Sequence, residues 1–197
     1  MNEDMKSHIE KTQFVEQPTI RVKPLNDLAL YGILGNIVNS IDDQIEPAKE
    51  NIFTHLLALS ATYIGDRVYT SFDNVSRVTL NDYYLLIGDS SWARKGIGLD
   101  IAQNIFETNA DEFVRDNVRT GLSSGEGLIS LMRDPNPENE DDEGVEDKRF
   151  LIVETEFGNV LKVMKREGNT LSTALRNLYD GRPVEILTKT EKMRASN

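Results

Sequence analysis

Two stretches constrain the fold more than any others: "YYLLIG" at 83–88 and "RFLIVETEF" at 149–157. Both are apolar runs without the polar alternation of a half-exposed strand. Each reads as a strand buried on both faces, the pattern of a parallel sheet covered by helices. Each is followed by helical spacing. Ile97, Ile101 and Ile105 fall four apart with Phe106 beside the last. Val160, Leu161 and Met164 face inward in "GNVLKVMKREGN", which Gly168 can end. "TLSTALRNLYDG" is a further helix with Thr170 as cap and Gly181 as stop. Between the two runs, "GLSSGEGLISLM" turns through glycines into a helix with Ser123 or Ser124 as cap. Buried strands alternating with helices predict an α/β fold with a largely parallel sheet.

The flanking segments set the domain limits. Residues 1–24 are polar and aperiodic and read as a flexible arm. Residues 25–66 form a helical segment: "LNDLALYGILGNIVNSI", interrupted near Gly32 and Gly35, then "EPAKENIFTHLLALSATYIG", which Pro47 opens and Gly65 ends. In the second helix Ile52, Leu56, Leu59 and Tyr63 make the apolar stripe, and His55 beside it reads as a partly buried structural histidine. Residues 67–197 make the α/β core. It opens with two short strands around an Asp73–Asn74 turn. It also carries a loop at 134–148 with eight acidic residues and two prolines, which reads as a solvated insertion. "VEILTKTEKMRASN" looks like the start of more structure, so the core is expected to be incomplete at its C-terminus.

Composition excludes several classes. A net charge of −11 over 197 residues is not the footprint of a protein that coats nucleic acid unaided. The absence of cysteine removes disulfides, thiolate zinc sites and cysteine nucleophiles, and two histidines cannot make a histidine-rich metal site. The start of the chain lacks a signal peptide's apolar core and no stretch is long enough to span a membrane, so a cytoplasmic location is expected.

The chemistry concentrates where "YYLLIG" leads into its helix, through the loop "GDSSWARKGIG". Amides at a helix start point into such a loop and favour an anion. Gly88 and Gly96 frame it, Ser90 and Ser91 add hydroxyl donors, Arg94 supplies charge, and Lys95 can bridge β and γ phosphates. Trp92 covers the loop or stacks on a base. The usual pattern is G-x-x-x-x-G-K followed by Ser or Thr. Here the spacing is one residue longer, Arg94 replaces the glycine, and Gly96 replaces the hydroxyl. As a bare motif this is weak. The second apolar run ends in Glu154 and Glu156, two apart and so on one strand face, where an acid can hold a metal's water shell. Glu126, at the head of a glycine-flanked helix, suits either orientation of an attacking water or simple complementarity to the helix dipole.

The ordered series "GDSSWARKGIG", "GLSSGEGLISLMRDP" and "DKRFLIVETEFGNVLKVMKREGNTLSTALRNLYDG" resembles a bacterial and phage family. In its members R-K-G-T is followed by S-G-E-G-L-I, R-D-P, E-x-E-F, R-E-G-N-T-L-S and D-G. That family is similar to the ATPase half of mobile-element primase-helicases, with a RecA-like P-loop core. The resemblance spans roughly Asp27 to the end. It implies an ATP site at Gly88–Gly96 with Lys95 on phosphate, Glu154 or Glu156 as strand-end acids, and Mg²⁺ held indirectly through Glu154. It also implies DNA as a partner through a larger assembly, a homo-oligomer, and no membrane. Two departures matter. Ile97 stands where the family has threonine, and Gly98 at the following serine-like position. Set against that family, the later strands, any sensor residue and any arginine finger are expected to fall outside this sequence. The expected function is therefore an ATP-binding domain of a replication ATPase, or alternatively a non-hydrolysing remnant or interaction module of that family.

Overall fold

The computed structural model describes residues 25–41, 45–73, 75–88, 93–187 and 192–196. The expected N-terminal arm, and Ser90, Ser91 and Trp92 of the loop, lie outside the described residues.

After a short 3₁₀ turn at Asp27–Ala29 come α1 (Gly32–Ile41) and α2 (Lys49–Ile64), followed by a long α3 (Lys95–Asn117). Strand β1 (Val118–Arg119), helix α4 (Gly125–Ser130), strand β2 (Leu151–Ile152), helices α5 (Phe157–Met164) and α6 (Leu171–Tyr179), and strands β3 (Val184–Leu187) and β4 (Lys192–Ala195) complete the order. Gly65 ends α2 at φ 62°, a conformation that disfavours a side chain. Helix α3 changes direction at Ala110, whose backbone is not helical.

β1 and β2 pair in parallel, Val118 with Leu151 and Arg119 with Ile152. β3 and β4 pair antiparallel. Successive strand residues point to opposite faces, and β2 shows what that does here. Leu151 packs on the cluster of Leu30, which ends the 3₁₀ turn, Val38 of α1, Ile52, Leu56 and Leu59 of α2, and Ala102 of α3. Ile152 packs on the cluster of Leu128, Ile129, Val160, Leu171, Ala174, Val184 and Ala195. The parallel pair is thus the middle layer between two apolar cores. Residues 25–66 share the first of these cores with α3.

Several expectations are corrected. "YYLLIG" is not a strand. Among the described residues it has no ladder partner, and Leu85 and Ile87 are 65% and 87% exposed. β2 takes β1 as its parallel neighbour instead, and the sheet expected to be largely parallel is one parallel and one antiparallel pair among the described residues. The segment still runs between layers as a strand does. The Tyr83 ring stacks on Tyr179 of α6 and its hydroxyl donates to the Leu175 carbonyl, while Tyr84 lines a cavity with Leu57, Ala61 and Ile64 of α2. Ile97 does not face inward and is 40% exposed; Gly98 and Ala102 make the buried seam of α3. Ser124 caps α4 as read, accepting from the Gly127 amide at 3.0 Å. Thr170 does not cap α6 with its side chain; Asn169 Oδ1 accepts the Leu171 amide instead, at 2.9 Å.

The acidic loop is not merely solvated. Asp142 accepts from both terminal nitrogens of Arg133 and from the amides of Asn136 and Gly144. Asp134 holds Lys148 and Ser196, so the loop's two ends are tied to each other and to β4. The Arg133 guanidinium lowers the Asp142 carboxyl from 3.8 to about 2. A carboxyl depressed in the fold contributes stability above its ordinary value, and that contribution is lost as pH falls toward the folded value. The stability difference between the parent and Asp142→Asn, measured by urea denaturation, should be full above pH 3.8 and vanish by about 2.

Candidate functional site

The neck of the loop is narrow. A Cβ placed on Gly88 would lie 2.6 Å from the Ala93 side chain, so only glycine lets these two segments approach. Beyond the neck the chain enters α3 through Arg94, whose φ 44° and ψ 36° make it the one non-glycine residue with positive φ among the described residues. That turn directs the chain into the helix without a side-chain cap on its first amides. The amides at the start of a helix have no partners inside it. Gly96 has open space where a Cβ would stand.

Charge surrounds this helix start. Lys95 Nζ donates back across the neck to the Gly88 carbonyl at 2.6 Å. Arg94 Nε pairs with Glu46 at 2.9 Å, with both side chains well exposed. Such a pair contributes little to stability and leaves the guanidinium beside the helix start. The Arg94 carbonyl accepts from the Gly98 amide at 3.2 Å, the first intrahelical bond of α3.

One residue outside the loop was not singled out from the sequence. Asn51, in the first turn of α2, is 5% exposed, and its Nδ2 donates to the carbonyls of Ala93 and Arg94. His55, one turn on, contacts the Asn51 carbonyl with Nδ1 at 2.9 Å, and burial lowers its pKa. A carbonyl accepts only, so that nitrogen carries the proton. The sequence signal was there: an amide one helical turn before a histidine on the inner side of an apolar helix.

The three acids lie elsewhere and bind backbone or neighbouring side chains. Glu154 Oε1 accepts the amides of Gly121 and Leu122, each at 2.6 Å, closing the turn after β1, where Gly121 has φ 93°. Glu126 sits in the first turn of α4 and accepts from the Thr170 hydroxyl at 3.3 Å. Glu156 accepts from Asn159 at 2.8 Å at the entry to α5. The structure therefore joins Gly88, Arg94 and Lys95 in one loop, with Gly96 opening the helix behind them. Among the described residues no hydrogen bond or ion pair links that loop to Glu126, Glu154 or Glu156.

These donors do not fit a protein-held Mg²⁺. Ile97 offers no ligand, Glu154 is committed to two amides, and the described residues contain no cluster of three or more acids and histidines placed for a metal. A cavity of about 850 Å³ also lies away from the loop, between the acidic segment and β4, where Arg133 pairs with Asp142 and Arg194 with Glu185. No helix among the described residues is long and apolar enough to cross a membrane.

Comparison of the chain with protein-family models, with curated proteins and with solved structures found no match.

Glu154 is thus a clamp on the turn between β1 and α4. Hydrogen bonds to a charged group contribute about 1.5–3 kcal/mol. Glu154→Ala should lower stability by roughly that amount in urea denaturation, and Glu154→Gln, which keeps one acceptor oxygen, should lose less.

Proposed function

We propose that the chain binds the phosphates of ATP at the loop from Gly88 to Gly96, as part of a RecA-like P-loop core of the kind found in mobile-element primase-helicases. The observation that carries this reading is the arrangement at the head of α3. Arg94 turns the chain left-handed into an uncapped helix, and Lys95 reaches across the neck to the Gly88 carbonyl. Helix-start amides without a side-chain cap, a helix dipole and an ammonium converge on one small region, and an anion satisfies all three. Lys95 rests on a single carbonyl through a flexible side chain. Exchanging that carbonyl for a phosphate oxygen replaces a neutral acceptor by a charged one. The order of motifs along the chain supports ATP over a simple oxyanion. In this reading the replication assembly supplies DNA and further copies of the chain, and Mg²⁺ enters with the triphosphate, as the described residues hold no cluster placed for a metal.

A second reading has its own observation. Ile97 stands where the resembled family has threonine, and Glu154 is occupied by the Gly121 and Leu122 amides. The chain then binds nucleotide without hydrolysing it, as an interaction module or remnant of the same family.

A calorimetric titration of ATP, with and without Mg²⁺, tests the proposal. Lys95→Ala should weaken binding about tenfold or more, equivalent to about 1.4 kcal/mol; equal affinity in variant and parent would show that the loop is only structural. Turnover separates the two readings. A P-loop hydroxyl holds the Mg²⁺ that offsets charge developing on the transferred phosphoryl group. On the second reading the parent has ATPase activity near background, and Ile97→Thr strengthens Mg²⁺-dependent binding more than turnover. Robust hydrolysis by the parent, abolished by Lys95→Ala, would exclude it.

A further inference from the structure

Asn51 is the most deeply buried polar side chain that touches the head of α3, and half of its amide is unused. Nδ2 donates to the Ala93 and Arg94 carbonyls at 3.4 and 3.1 Å. Oδ1 is buried with no hydrogen-bond partner. The amide lies against the first turn of α3, so closely that a Cβ on Gly98 would meet Oδ1 at 2.4 Å and Nδ2 at 2.5 Å. A buried acceptor without a partner is rare and calls for a reason. An apolar residue at 51 would pack against Gly98 with no acceptor left unpaired. The amide is therefore explained by its donor end, which holds the last two carbonyls of the loop.

We infer that Asn51 is the positioning residue of the anion site. By drawing the Ala93 and Arg94 carbonyls toward α2, it fixes Arg94 in a left-handed conformation that a residue with a Cβ disfavours. That conformation sets how the chain enters α3, and with it the Lys95, Gly96 and Ile97 amides at the helix start, which favour an anion. Gly98 belongs to the same device, because only glycine leaves room for the amide between α2 and α3. Asn51 touches no phosphate in this arrangement and acts through the backbone it holds. The inference rests on the phosphate-loop reading of the previous section.

The test uses the full chain and ATP as the probe. Asn51→Ala should weaken ATP binding about tenfold or more in calorimetry. Gly98→Ala, which pushes the amide away with Asn51 still present, should do the same. The double variant should be no weaker than either single one, since both remove a single hold. Trypsin cleavage after Arg94 and Lys95 without nucleotide should be faster in each variant, and ATP should protect the parent. A merely structural tie would lower the melting temperature but leave the folded protein's affinity and its cleavage at Arg94 unchanged. Should Asn51→Ala fail to fold, Gly98→Ala carries the same comparison. ATP binding by the parent with unchanged affinity in the folded variants overturns this inference alone. A parent that does not bind ATP removes the phosphate-loop reading and this inference with it.

Discussion

The parallel pairing of Val118–Arg119 with Leu151–Ile152 is the contact on which the rest of the structure depends. It is short, yet it separates two apolar cores because neighbouring side chains of a strand must point to opposite faces. Leu151 serves one core and Ile152 the other. The pairing is prolonged past its last ladder residue. The Val153 amide donates to the Arg119 carbonyl at 2.8 Å, and the next side chain, Glu154, takes the amides of Gly121 and Leu122. A carboxylate thus finishes what the ladder began, which explains why an apolar strand ends in an acid at that residue.

The helices were legible because their signals are local. The stripe of Ile52, Leu56 and Leu59, the stops at Gly65 and Gly181, and the Ser124 cap depend on periodicity and φ preferences inside one short window. Sheet pairing depends on residues far apart in the chain. "YYLLIG" has the composition of a doubly covered strand and lies between layers, with Tyr83 toward α6 and Tyr84 toward α2. Composition describes the two faces of a strand and says nothing of its edges, and here neither edge has a ladder partner among the described residues. Ile97 was misread for a related reason. Ile101, Ile105 and Phe106 of that spacing do pack on the first core, while at the head of the helix the close approach of α2 selects Gly98 and Ala102 rather than Ile97.

The site was legible only in part. Lys95 and Gly88 could be found from the order strand, loop, helix, and the structure brings them within 2.6 Å of each other. Glu154 and Glu156 were read as strand-end acids, and Glu126 as either a water-orienting acid or a complement to the helix dipole; in the structure each accepts a hydrogen bond, Glu154 at a turn, Glu156 at a helix entry and Glu126 from Thr170. Residue type and position cannot distinguish these uses, because a carboxylate that binds a metal's water and one that binds two amides present the same oxygens.

Lys95 and Glu154 both hold backbone groups, yet the two contacts differ in how readily they are exchanged. Lys95 makes its contact with one carbonyl, at an exposed position, through four rotatable bonds, and the loop on which it rests gains a stronger partner when an anion arrives. Glu154 would have to release two amides at 2.6 Å and leave them unpaired to serve a metal. Losing charged hydrogen bonds of about 1.5–3 kcal/mol for a single water-mediated contact is unfavourable. The same reasoning assigns Asn51 its place. Its donor end is fully used and its acceptor end is not, so the favourable interaction is concentrated on Ala93 and Arg94. The backbone that these carbonyls govern is the one whose next three amides start α3. The head of that helix is therefore held from behind by a buried amide and covered in front by a lysine that a stronger acceptor can draw away, an order of rigidity that suits binding an anion rather than breaking a bond in it.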